Sequence, residues 1–151
     1  MSAMFHPMAT SVQVVFDCAD PPVLATFWAK ALGYRLEGPP QPSAKWQQWV
    51  REQQIPEEHR DDASAITDPD ERGPRIYFQR VPETKTVKNR VHLDLNVSGG
   101  TGVPLITRRT KVDDEAQRLA QAGATFARAQ TQHGEYCITM LDPEGNEFDV
   151  Q

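Results

Sequence analysis

Residues 89 to 97, "NRVHLDLNV", place Val91, Leu93, Leu95 and Val97 on one parity and His92, Asp94 and Asn96 on the other. Successive side chains leave a sheet on opposite sides, so this alternation predicts a strand with one face in a core. Residues 12 to 18, "VQVVFDC", repeat the pattern, with Val12, Val14, Phe16 and Cys18 on one face and Gln13, Val15 and Asp17 on the other. In the following "ADPPVLATFWAKALG", Leu24, Phe27, Trp28, Ala31 and Leu32 recur at helical spacing. Asp20 as N-cap, prolines in the first turn and Gly33 as a stop set the helix from Pro21 to Leu32.

Short strands are predicted at "YRLEG", "KWQQWV" and "PRIYFQRV". The second half repeats the order. After "RVHLDLNV" come a loop and the helix "VDDEAQRLAQAGA", whose acidic first turn suits the helix dipole and which Gly123 ends. Strands "TFARA", "EYCITMLD" and "NEFDVQ" follow, the last two joined by the turn "DPEG". Two stretches, residues 51 to 74 and 98 to 110, show no clear period and read as long loops. The repeated order of strand, helix and three strands is an internal duplication of two modules, 11–83 and 89–151, after a tail at 1–10. A doubly wound nucleotide-binding sheet would need a glycine-rich turn after its first strand, which is missing, so no nucleotide cofactor is expected.

The chain has 151 residues, enough for one compact domain, and a formal net charge of -5. That charge argues against nucleic acid and anionic membrane as partners and leaves a small molecule. No apolar run approaches the length of a membrane span, and "MSAMFHPMAT" lacks the features of a secretion signal; a cytoplasmic protein is expected. Cys18 and Cys137 form no C-x-x-C pair and read as buried thiols.

Three segments in order, "FDCADPPVLATFWAKALGY", "VPETKTVKNRVHLDLNV" and "LDPEGNEFDV", resemble the vicinal oxygen chelate superfamily and within it the glyoxalase-like branch. Glyoxalase I, extradiol dioxygenases, fosfomycin-modifying enzymes and bleomycin-resistance proteins share that superfamily. The resemblance implies an α+β fold of two βαβββ modules curled into a cup with helices outside, and a homodimer. It implies metal ligands at Gln13, Gln79, His92 and Asp149, on the first and last strand of each module. A divalent ion there, Zn, Ni, Fe or Mn, would act on a small molecule with adjacent oxygens, in a lyase, isomerase or dioxygenase reaction. His92, Asp149 and Asp94 are the candidate catalytic groups, and Glu147 shares the inward parity.

The metal-dependent relatives place glutamates where this chain has Gln79 and Asp149, which leaves open a metal-free, drug-sequestering module. Tyr77, Trp46, Trp49 and Arg90 are candidate ligand-binding residues, the tryptophans as an aromatic wall. Lys85, Lys88 and Arg90 form either a solvated linker or a cationic clamp.

Overall fold

The computed structural model describes residues 8–38 and 43–151; the first part of the expected tail, residues 1–7, lies outside the described residues. The first module comprises β1 (Val14–Cys18), α1 (Pro21–Leu32), β2 (Arg35–Leu36), α2 (Ala44–Glu52), β3 (Ala63–Thr67) and β4 (Ile76–Arg80). The second comprises β5 (Asp94–Leu95), α3 (Leu105–Ala122), β6 (Thr125–Gln132), β7 (Glu135–Leu141) and β8 (Glu147–Val150). Each builds a four-stranded mixed sheet, in the orders β1-β4-β3-β2 and β5-β8-β7-β6. In both, the first strand runs parallel to the last and the other pairs are antiparallel. This is the expected α+β duplication.

A single core joins the modules. Trp28 of α1 packs on Phe16 of β1 and on Phe148 of β8, with ring centroids 5.3 and 5.0 Å apart, and Phe16 stacks on Phe78 at 5.3 Å. Edge-to-face and offset contacts of this kind add to the burial of the rings themselves. The turn between β7 and β8 completes the join. Its Glu144 carboxylate accepts from the amides of Ala19 and Asp20, and buried Asp142 accepts from Trp28 Nε1 at 3.1 Å. From α3, Arg118 donates to the carbonyls of Lys30 and Ala31 at the end of α1.

The expected helix at Pro21–Leu32 is present. Asp20 caps its start through the Val23 amide, and Gly33 ends it at a φ of 69°. Three local expectations are corrected. "KWQQWV" is helical, not a strand: Ser43 Oγ caps the Trp46 amide at 3.0 Å, and Trp46, Trp49 and Val50 are spaced i, i+3, i+4, as on one helix face. The third strand is instead "ASAIT", inside the stretch read as a loop, where Ala and Ser give little strand signal. Residues 105–110, also read as loop, form the first turns of α3. There Leu105 and Ile106 are exposed, so no buried stripe marks the start.

Among the described residues no helix is long and apolar enough to cross a membrane. Cys18 is buried; burial, then the nearby Glu144, Asp20 and Asp17 carboxylates, push its thiol up to about 12. In native protein at pH 8, Cys18 is therefore expected to resist alkylation by iodoacetamide until the chain unfolds, read by mass spectrometry.

Candidate functional site

Strands β1 and β5 are edge strands of the two sheets, and an open cleft of about 800 Å³ is bordered by β1, the linker and the residues just before β5. Val15 and Asp17 line it from β1, residues 83–91 from the linker, and His92, Leu93 and Glu147 from the second module. The alternation at the start of "NRVHLDLNV" serves this cleft, since Val91 is 80 % exposed and lies on its wall. The strand itself is regular only at Asp94–Leu95, although Leu93 still accepts the Asp149 amide and Leu95 the Gln151 amide.

On the polar face of that segment, His92, Asp94 and Asp149 come together. His92 Nε2 is 3.2 Å from Asp94 Oδ1 and 3.4 Å from Asp149 Oδ2. Their nearest donor atoms all lie within 4.8 Å of one another, close enough to hold a single cation. Register explains the meeting. Asp94 is the cross-strand partner of Asp149, and His92 stands two residues earlier on the same face. Asp149 is further held by Thr139, whose hydroxyl donates to Oδ1 at 2.6 Å. This leaves Oδ2 turned toward the imidazole. Because second-layer hydrogen bonds of this type orient metal ligands, Thr139→Val is expected to weaken divalent-metal binding about tenfold, measured by calorimetry, with the circular dichroism spectrum unchanged.

Each glutamine has its hydrogen-bond partner outside this group. Gln13 Oε1 accepts from Arg75 at 2.8 Å, and Gln79 donates to Asp17 at 2.6 Å. Gln79 pairs with Asp17, four positions beyond Gln13 along β1, so the two glutamines flank the sheet about 13 Å apart. The duplication fixes the true counterparts. Ala65 pairs with Tyr77 and Thr139 with Asp149, and both Ala65 and Thr139 lie three residues before the Asp-Pro that opens the next turn. Tyr77, not Gln79, therefore matches Asp149, while Val15 matches Asp94 and Gln13 matches His92. Only the second module presents an imidazole and carboxylates at these positions.

The remaining candidates divide between cleft and periphery. Arg90 lines the cleft and is exposed. Tyr77 is half-buried, with the Arg75 guanidinium over its ring. Trp46 and Trp49 ride on α2 and do not line the cleft; Trp49 lies against Gly38. Lys85 is fixed within the linker, donating to the Val87 carbonyl and standing 3.4 Å from Glu147.

Glu147 also accepts the Asn89 amide at 2.9 Å, and that bond, with Lys85, holds its carboxyl below the ordinary carboxylate range. It clamps the linker rather than standing ready as a base. A lowered folded pKa gives stabilisation that is present above the unfolded value and is lost as pH falls through the folded one. Hydrogen exchange at the Asn89 amide is accordingly expected to be slowed at pH 7, to lose that protection on acidification below the usual glutamate pKa, and to be unprotected throughout in Glu147→Ala.

Comparison with known proteins shows the family. A model of the glyoxalase-like domain matches residues 13–151. The chain belongs to that family. Solved structures with the same fold include a glyoxalase/bleomycin resistance protein/dioxygenase family enzyme from Burkholderia phytofirmans, 17 % identical at a TM-score of 0.59 over 91 % of this chain and 94 % of that one. Another is a point mutant of the genomically encoded fosfomycin resistance protein FosX from Listeria monocytogenes, complexed with Mn(II) and 1S,2S-dihydroxypropylphosphonic acid. It is 10 % identical, with a TM-score of 0.59 over 95 % of this chain and 90 % of that one. A bleomycin-binding protein from Streptomyces verticillus, complexed with copper(II)-bleomycin, is 13 % identical with a TM-score of 0.52, over 95 % of each chain. No curated protein is similar enough in sequence to be matched.

Proposed function

We propose that this glyoxalase-like protein is a small-molecule enzyme that uses a divalent cation held by His92, Asp94 and Asp149 to act on a substrate with two adjacent oxygens. The observation that carries the reading is the convergence of one imidazole nitrogen and two carboxylates within 4.8 Å beside an open cleft. One nitrogen and two oxygen donors suit Mn, Fe, Ni or Zn. When bound, such an ion supplies Lewis-acid stabilisation of negative charge on the paired oxygens.

The chain's own groups divide the remaining work. His92 offers Nε2 and Asp149 offers Oδ2, the latter oriented by Thr139. Asp94, 41 % exposed against 18 % for Asp149, is the more solvent-facing of the two carboxylate ligands. The linker held by Glu147 walls the cleft through which substrate reaches His92. A lyase, isomerase or dioxygenase reaction is compatible with this layout, in a cytoplasmic homodimer.

A second reading, a metal-free module that sequesters a small molecule, is favoured by the first module. Its matching positions hold Gln13, Val15 and Tyr77, none of them an anionic or imidazole donor. Calorimetric titration of tag-free, metal-stripped protein with Mn(II) and Zn(II) separates the readings. Saturation at one ion per chain is expected; absence of saturable binding for either ion would leave the sequestering module.

A further inference from the structure

We infer that Arg128 anchors an anionic group of the ligand, so that the site selects small molecules with a chelating pair of oxygens at one end and a carboxylate, phosphate or phosphonate at the other. The substrate class so named rests on the function proposed for His92, Asp94 and Asp149.

Strand β6 carries a register break. Phe126 opposes Met140, whereas Arg128 opposes Thr139, so Ala127 is an extra residue in β6. Without it, Ala127 would face Thr139 and Arg128 would be turned to the helix side, where Ile138 and Met140 are buried. The bulge therefore carries Arg128 onto the face of Asp149. Across the sheet, Asp94, Asp149, Thr139 and Arg128 form one row. Two strand spacings separate the backbones of Asp149 and Arg128, roughly 10 Å, which a ligand of a few bonded atoms spans together with the arginine side chain.

The charge of Arg128 is left open by the fold. Its Nε reaches only Gln130 Oε1 at 3.4 Å, and it forms no ion pair among the described residues. The first module shows the contrast. There the row Val15, Tyr77, Ala65 ends at Glu37, whose amide bonds to the Ala65 carbonyl, and Glu37 is closed off by Arg75 at 2.6 and 2.8 Å. The second-module match of Arg75 is Glu147, but Glu147 is engaged by the linker, which leaves Arg128 unpaired. An arginine on an edge strand can also serve only to deter edge-to-edge pairing. That role needs a charge on the edge, but not one aligned with Asp149.

The test uses glycerate and 3-phosphoglycerate, which share adjacent oxygens and differ in the distal anion, titrated into Mn(II)-loaded protein by calorimetry. The phosphorylated probe is expected to bind about tenfold more tightly or better, as a charge-assisted contact gives. In Arg128→Ala that preference falls to about twofold or less, with Mn(II) and glycerate affinities unchanged; Arg128→Lys keeps part of it. An undiminished preference in Arg128→Ala overturns the inference, and so does the absence of any preference in the unsubstituted protein. If Mn(II) does not bind, the metal reading fails separately. Arg128 is then tested on the metal-free protein by amide chemical shifts during 3-phosphoglycerate titration. Shifts at residues 128–130 and 139 that vanish in Arg128→Ala support the anchor, and their absence overturns it.

Discussion

Replacing His92 with alanine is expected to lower divalent-metal affinity by roughly 100-fold or more, while Gln79→Ala changes it less than about threefold. Removing a donor should exceed the roughly 10- to 100-fold effects known for groups behind the donors. The contrast between the two variants follows from register. His92 stands 3.2 and 3.4 Å from the carboxylates of Asp94 and Asp149, whereas Gln79 is bonded to Asp17 at the far end of β1. His92 is 42 % exposed, so its loss leaves no cavity in the core and the fold should persist. Parallel calorimetric titrations with Mn(II), checked by circular dichroism, read the difference. Comparable losses in both variants would mean that the ion sits between the modules instead.

A second large effect is expected at a position remote from the chemistry. Asp142 is 3 % exposed and accepts from Trp28 Nε1, from the Glu144 and Asn146 amides and from Asn146 Nδ2. Alanine there strands the indole and the turn donors together. At the cost of unsatisfied buried groups, Asp142→Ala should lose about 3 kcal/mol of stability. For a chain of this size that lowers Tm by roughly 6–12 °C, measured by thermal unfolding. Asp142→Asn should recover little, because its amide nitrogen would meet donors already aimed at the carboxylate. Mn(II) affinity, measured well below the transition, should be unaltered, since Asp142 ties the modules together and does not touch the His92 group.

The parts of the fold that sequence made legible are those where burial imposes a period. "VQVVFDC" and "NRVHLDLNV" alternate and bring Cys18 and Leu95 into the shared core, and Leu24, Phe27 and Trp28 recur at helical spacing on a buried face. Where burial is slight the signal failed. The exposed Leu105 and Ile106 hid the first turns of α3, and the small residues of "ASAIT" hid β3. "KWQQWV" fits either period over so few residues, and the Ser43 cap was the cue that decides for a helix.

The site was legible in a similar, partial way. Parity places a residue on a face but does not resolve a slip of two positions, so Tyr77 and Gln79 were indistinguishable on β4. The turn before β4 is two residues longer than its counterpart before β8, with 67–75 between the paired Ile66 and Ile76 against 141–147 between the paired Met140 and Phe148, which removed the spacing that would have aligned them. Asp94 was visible by parity, but its closeness to His92 depends on the Asp94–Asp149 pairing, a contact between distant parts of the chain. Arg128 was hidden altogether, because a single extra residue in β6 reverses its face.

The central claim is that His92, with Asp94 and Asp149, is a ligand to a bound cation. Electron spin echo envelope modulation of the Mn(II)-loaded protein addresses it directly, since coordinated imidazole nitrogen imposes its own modulation on the manganese echo. Modulation from one histidine nitrogen is expected, and it should disappear in His92→Gln. A manganese echo without imidazole modulation, or modulation that survives in His92→Gln, would contradict the claim.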